Sequence, residues 1–172
     1  MGTFDKSEFD SVYRLMKISF PEDERRPYKE QMALLDRTEY KIHVLKNNDG
    51  SDICAFAAIW DFERFVFVEH FAVSPSCRNA GVGSGMIKRL ASKSGKPVCL
   101  EVEPPTNEIT ARRIAFYERN GFFLNDYPYV QPPISKNRRP VPLMIMTTGR
   151  KITPEEFDSV KNTLYKNVYN EA

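Results

Sequence analysis

The chain has 172 residues, of which 41% are hydrophobic, 12% aromatic and 28% charged. That is too much core material for a disordered chain and too much charge for a bundle of membrane spans, and a chain of this length buries about two thirds of its surface as one domain. The 25 basic and 23 acidic side chains leave a formal charge of +2, which offers no basic stripe to a phosphate backbone and weighs against a nucleic-acid partner.

The sequence shows no basic-then-apolar leader, and its longest apolar run, residues 53–60, is well short of the eighteen or so residues that a spanning helix needs. A cytoplasmic protein with no membrane association is expected. Cys54, Cys77 and Cys99 are widely spaced and accompanied by only two histidines, so they read as free thiols, with neither a disulfide framework nor a metal site.

Phe9, Val12, Leu15 and Met16 recur at helical spacing behind Ser7, a candidate N-cap, and predict an amphipathic helix over 8–18. The segment 20–27 is proline-bounded and dense in both charges; it reads either as a link between helices or as a loop turning Phe20 and Glu24 toward a substrate. A second helical stretch points Met32, Leu34 and Leu35 inward. Apolar runs at 42–45 and 53–60 flank Asn47-Asn-Asp-Gly50, the form of a hairpin, and 65–73 adds a third strand to make a meander.

Beyond Val73 the pattern changes. A loop, Ser-Pro-Ser-Cys-Arg-Asn-Ala-Gly-Val-Gly, leads into a helical period through Val82, Met86, Ile87, Leu90 and Ala91 that ends at Gly95. Residues 98–103 form a fourth strand with Glu101 and Glu103 on one face. A helix from Glu108 to Asn120 follows, capped by Thr106 or Asn107, with Ala111, Ile114 and Ala115 on its inner face and Gly121 as terminator. Residues 128–142 hold five prolines and read as a loop, 141–148 as a strand, and Thr153-Pro-Glu-Glu156 as the capping box of a closing helix. This order predicts one mixed α/β layer structure over the whole chain, with 150–172 as a helical extension.

The loop that opens the third helix carries the chemistry. After a strand, Arg78, Asn79, Ala80, Gly81, Val82, Gly83 and Ser84 can converge peptide N–H groups on one point, where the helix dipole favours an anion. Gly81 and Gly83 keep side chains out of the way, and Arg78 adds a forked cation. Met86 stands where a dinucleotide fingerprint needs glycine, and no Gly-Lys-Ser/Thr ending is present for a Walker loop.

Arg78-x-x-Gly81-x-Gly83 after Phe71-Ala-Val-Ser-Pro75, followed by Ala115-Phe-Tyr-Glu-Arg-Asn-Gly-Phe122, resembles the GCN5-related N-acetyltransferase (GNAT) family over about 56–123. The segments 20–27, 100–105 and 129–133 look like a bacterial branch of it. The sequence departs from the family pattern at Thr110 and Arg113, where asparagine and alanine are often found seven and four residues before the tyrosine. The resemblance implies a mostly antiparallel twisted sheet with splayed central strands. It also implies acetyl-CoA as cofactor, its pyrophosphate on the 78–84 amides and its pantetheine arm along Phe71, Ala72 and Val73, with Tyr117 as proton donor to the leaving thiolate and cofactor neighbour.

An amine of pKa near 10.4 is deprotonated only to about one part in 2,500 at pH 7, a deficit of about 4.6 kcal/mol that a general base offsets. Glu69, on the face read as shared with Phe67 and Phe71, is the first candidate, followed by Glu103 and His70. Glu69 can instead be ion-paired with Arg112 or Arg113. The acceptor face is assigned to Phe20, Glu24, Trp60, Glu69, Glu103, Tyr129 and Gln131, with Lys136, Arg138 and Arg139 able to grip an acidic group or to sit in a solvated loop. The expected activity is transfer of acetyl to a primary amine of a small molecule or peptide by direct attack, in a monomer or homodimer; a silent CoA-binding sensor or scaffold is the alternative.

Overall fold

The computed structural model describes residues 2–171. Their contacts fall into two compact units, one made of the residues up to Pro21 with Pro27–Val98, the other of Glu22–Arg26 with the residues from Cys99 onward. Both mix helices with antiparallel strands, as expected.

In the first unit β1 (Gly2–Thr3), β2 (Tyr40–Lys46), β3 (Ile53–Asp61) and β4 (Val66–Val73) pair consecutively as an antiparallel meander. The β2–β3 turn is closed by Gly50 N–H on Asn47 O at 3.0 Å, with Gly50 in the left-handed region that the turn requires. β3 is buried from Cys54 to Trp60, which accounts for its unbroken apolar run. Helix α1 (Phe9–Ser19) buries Phe9, Val12, Leu15 and Met16, but its approach is capped by Asp5, which accepts the Ser7 N–H while Glu8 accepts the Asp5 N–H. Ser7 is therefore not the cap: the box needs an acceptor three residues ahead of Glu8. Helix α2 (Tyr28–Ala33) lasts six residues and tightens into a 3-10 turn at Leu34–Asp36. That change of period leaves Met32 exposed and buries Gln31 instead, which donates to the Tyr40 hydroxyl at 2.7 Å. Helix α3 (Val82–Ser94) closes the unit and ends, as expected, on left-handed Gly95.

The thiol expectation is corrected here. Cys54 and Cys77 are disulfide-bonded, their Cα atoms 5.5 Å apart, and only Cys99 is a free cysteine, buried so that its thiol is pushed well up. Pairing of β3 with β4 sets the start of one beside the end of the other, with Ser74 N–H on Cys54 O at 2.7 Å, and a single 3-10 turn, Pro75–Cys77, brings Cys77 back. A wide spacing along the chain carries no trace of that proximity.

In the second unit β5 (Val98–Val102) pairs with β7 (Val141–Thr148), and β7 with β6 (Phe122–Gln131), all antiparallel. β6 runs through Pro128 to Gln131, further than the expected start of the proline loop; the register slips between Asn125 and Tyr129, so the imide sits where the ladder is interrupted. Buried Asn125 ties this slip down, donating to Ile145 O and Thr147 Oγ1 and accepting from Ile152 N–H at 2.9 Å. Helix α4 (Glu108–Arg119) is capped by Asn107 and buries Thr110, Ile114 and Tyr117, a stripe rotated from the expected one, which leaves Ala111 exposed.

Helix α5 (Pro154–Asn167) begins at the capping box read from sequence: Glu156 N–H on Thr153 Oγ1 at 3.3 Å and Thr153 N–H on Glu156 Oε2 at 2.9 Å. Arg150 forks onto the Glu156 carboxylate at 2.8 and 2.6 Å and holds its pKa down to about 2. No helix among the described residues is long and apolar enough to cross a membrane. Replacing Thr153 by Ala is expected to cost about 1 kcal/mol and lower the melting temperature by about 2–4 °C. A circular-dichroism melt that does not move would contradict the cap.

Candidate functional site

The first unit carries the glycine loop. β4 gives way to the 3-10 turn, and the chain then turns through two left-handed residues, Asn79 at φ 66° and Gly81 at φ 72°. Asparagine tolerates that region and glycine enters it without strain. Gly81 is the N-cap of α3 and makes no side-chain cap, and a Cβ built on it meets nothing within 4 Å. Arg78 donates from Nε to Val73 O at 3.3 Å, which tethers its guanidinium at the end of β4. A bare, left-handed N-cap with open space above it and a cation beside it fits a phosphate-bearing ligand.

β4 contains a feature that simple alternation hides. Ala58 faces His70 and Ile59 faces Val68, so Glu69 is the extra residue of a β-bulge. The bulge reverses the parity of the strand: Phe67 pairs with Trp60 but Phe71 with Ala57, which sets the two phenylalanines on opposite faces and corrects the face assigned to them and Glu69. It also brings Glu69 Oε2 to 3.6 Å from His70 Nδ1, both side chains 2% exposed, while Phe20 sets its ring edge-on to His70 at 4.8 Å. Phe20, Glu69 and His70 thus form one cluster. Trp60 does not join it: 1% exposed, it packs edge-on to Tyr40 and stacked on Phe62, with Arg37 5.3 Å from its ring. Its place is structural.

The second unit carries a set of coupled acids. The turn Glu22–Glu24 is held from far along the chain, with Asp23 taking the Arg139 N–H at 3.0 Å and its guanidinium at 2.9 Å, Gln131 Nε2 donating to Asp23 O at 3.2 Å, and Glu22 paired with Arg138 at 3.3 Å. Arg26 is buried and donates to Val168 O at 2.8 Å. Arg138 and Arg139, read from sequence as able to grip an acidic group, hold the protein's own Glu22–Glu24 turn, and Gln131 supports it.

The turn presents two adjacent carboxyls in opposite states. The Arg139 main-chain N–H and guanidinium hold Asp23 below the usual carboxylate range. Burial, then the negative charge of Glu103, pushes Glu24 up to about 7, with Arg113 pulling the other way. Arg113 binds Glu103 at 2.5 Å. The Tyr117 hydroxyl is pushed up to about 12 by burial, again opposed by Arg113, and its ring lies between Phe116 and Phe122 at 5.2 and 5.6 Å. Glu24, Glu103 and Tyr117 therefore share one cation. From the sequence Arg113 stood out as a departure from a family pattern and as a possible ion-pair partner of Glu69, not of Glu103; its position four residues before Tyr117 on a helix face was the available signal. Arg112, by contrast, pairs with Glu108.

Tyr129, expected to face an acceptor, is buried and donates its hydroxyl to Glu101, which also accepts from Tyr169 at 2.9 and 2.7 Å. Burial and the Glu101 charge push the Tyr129 hydroxyl far up. Glu101 was read from sequence only as sharing a strand face with Glu103, Tyr169 was not singled out, and nothing local marks their pairing. A carboxyl near neutrality is suited to accept a proton, a buried phenol to donate one, and an uncapped helix N-terminus to receive an anion.

Residues 38–123 match the family model described as Acetyltransferase (GNAT) domain. Over 112 residues the chain is 33% identical to YjbC of Bacillus subtilis (strain 168), provisionally named an acetyltransferase; the match covers 64% of this chain and 55% of YjbC, so the chain spans about half the length of that relative. A solved structure of a provisionally assigned GNAT-family acetyltransferase from Bacteroides thetaiotaomicron is 30% identical, with a TM-score of 0.89 over 99% of this chain and 98% of that one. The structure of YncA from Salmonella typhimurium, provisionally named an acetyltransferase and solved with its cofactor acetyl-CoA, is 17% identical with a TM-score of 0.60 over 89% and 95%, a likeness of fold.

Two glycine substitutions separate the loop from the helix it opens. Gly81→Ala places a side chain in the left-handed region and is expected to cost about 1 kcal/mol in urea unfolding, whereas Gly85→Ala, inside α3 with open space around it, is expected to gain about 0.5–1 kcal/mol. Equal effects would contradict the left-handed N-cap.

Proposed function

The chain belongs to the GNAT acetyltransferase family, and from that premise we propose that it moves acetyl from acetyl-CoA to a primary amine of a small molecule or peptide by direct attack in a ternary complex. The observation that carries the reading is the start of α3: a bare, left-handed N-cap behind Arg78, inside the residues that match the family model. Bound acetyl-CoA supplies a thioester carbonyl, and the chain's own groups supply the rest. The 78–84 main chain holds the diphosphate, and the end of β4, at Phe71, Ala72 and Val73, is assigned to the coenzyme's arm. We take the whole chain to work as one acetyltransferase domain.

Removing the proton from the ammonium form of the acceptor is the costly step at neutral pH. We assign the base to Glu24, which the sequence placed on the acceptor face and not among the candidate bases Glu69, Glu103 and His70, because a carboxyl at about 7 is ionised enough to accept a proton and basic enough to hold it. Burial and then the Glu103 charge set Glu24 high, and Arg113 keeps the two carboxylates compatible. Tyr117, at about 12, stays protonated across the working range and donates to the leaving thiolate. Glu69 and His70, buried in the β4 bulge with Phe20, are the second proton-accepting pair.

The test is a panel of primary amines with acetyl-CoA, followed by released thiol. Because Glu24 must be ionised to act, kcat/KM is expected to rise with pH through about 7. Glu24→Gln should remove that limb and lower kcat by about 10²-fold, and Tyr117→Phe should lower kcat to a similar extent. Glu103→Gln removes a charge that raises Glu24, so the limb should move to lower pH. A limb unchanged in Glu24→Gln would pass the role to Glu69, and no thiol release with any amine would sink the transferase reading.

A further inference from the structure

We propose that the Cys54–Cys77 bridge is a thiol-exchange site whose state sets how tightly the 78–84 loop binds acetyl-CoA; this rests on the reading of that loop as the coenzyme's diphosphate site. Cys77 is the last residue of the 3-10 turn and the immediate neighbour of Arg78. The loop between it and α3 is exposed from Arg78 to Gly81 and turns through Asn79 and Gly81, both left-handed. At its far end it is fixed by the first turn of α3, with Gly85 N–H on Gly81 O at 2.9 Å. At its near end the main-chain bonds are Cys77 N–H on Ser74 O at 2.9 Å and Arg78 N–H on Pro75 O at 3.5 Å, the latter beyond normal hydrogen-bond length. Arg78 Nε on Val73 O at 3.3 Å adds a side-chain tether there, and the link to β3 is the covalent anchor on that side.

The two cysteines differ in exposure. Cys54 is 7% exposed, whereas Cys77 is half-buried at the rim of the turn, so the attackable sulfur is that of Cys77. A thiolate of a small dithiol attacks Cys77 Sγ, the S–S bond breaks, and Cys54 leaves as a thiolate that takes up a proton. The second thiol of the dithiol then displaces Cys77, which is also protonated, and the dithiol ends as a disulfide. Cys99 does not compete, because it is 2% exposed and its thiol is pushed well up. With the bridge open, the turn before Arg78 gains conformational freedom that coenzyme binding must remove again, and the expected penalty is about tenfold in Kd.

The test compares oxidised protein, dithiol-reduced protein and a Cys54→Ser/Cys77→Ser variant. Acetyl-CoA binding is followed by calorimetry, and hydrogen exchange of the 78–84 amides is measured without coenzyme. Oxidised protein should show one titratable thiol after denaturation and reduced protein all three. Reduced protein and the variant should bind about tenfold more weakly than the bridged form, exchange these amides faster, and the variant should not respond to dithiol. Equal Kd and equal exchange in bridged and reduced protein, or three thiols after oxidation, overturns the inference alone. Absence of acetyl-CoA binding in every form overturns the reading of the loop, and the inference with it.

Discussion

A chain that is to hold an anion on bare main-chain N–H groups must refuse those groups to its own side chains. Most helix starts do the opposite, and α4 and α5 here are closed by Asn107 and Thr153 with reciprocal boxes. α3 is different: its N-cap is a glycine in the left-handed region, with no side chain to cap the turn and no atom within 4 Å of where one would project. The β4 strand, the 3-10 turn and the disulfide behind it aim that start. Coenzyme binding, and with it the proposed transfer, depends on this bare glycine turn.

The acids of the second unit show how neighbouring groups of one kind are given different tasks. Asp23 and Glu24 are consecutive, yet one is held ionised by Arg139 and serves as an anchor, while the other is desolvated beside Glu103 and brought to about 7. Environments that push the pKa values of paired carboxyls apart separate structural from proton-handling roles. Arg113 faces Glu24, Glu103 and Tyr117 alike, which makes the position at which the sequence leaves the family pattern the one that tunes the group.

What could be read from sequence was what short-range chemistry decides. The Asn47–Gly50 hairpin turn, the box at Thr153, Gly95 as a C-cap and the place of the glycine loop between a strand and a helix are all set within a few residues and stand as expected. The bulge at Glu69 was not legible, because it is a mismatch of register between two strands rather than a property of either. Nor were the supports of the Glu22–Glu24 turn, whose partners Gln131 and Arg139 lie 108 and 116 positions away. Tyr129 was misdirected for the same reason: its carboxylate partner, Glu101, is 28 residues back and shared with Tyr169 from the far end of the chain. The Cys54–Cys77 bridge likewise follows from strand pairing, which spacing does not encode.

The most direct measurement is a titration of isotope-labelled protein with acetyl-CoA, followed by amide chemical shifts. The account predicts saturable binding with the largest shifts at the Val82, Gly83 and Ser84 N–H groups. Binding that leaves those three amides unmoved would contradict it.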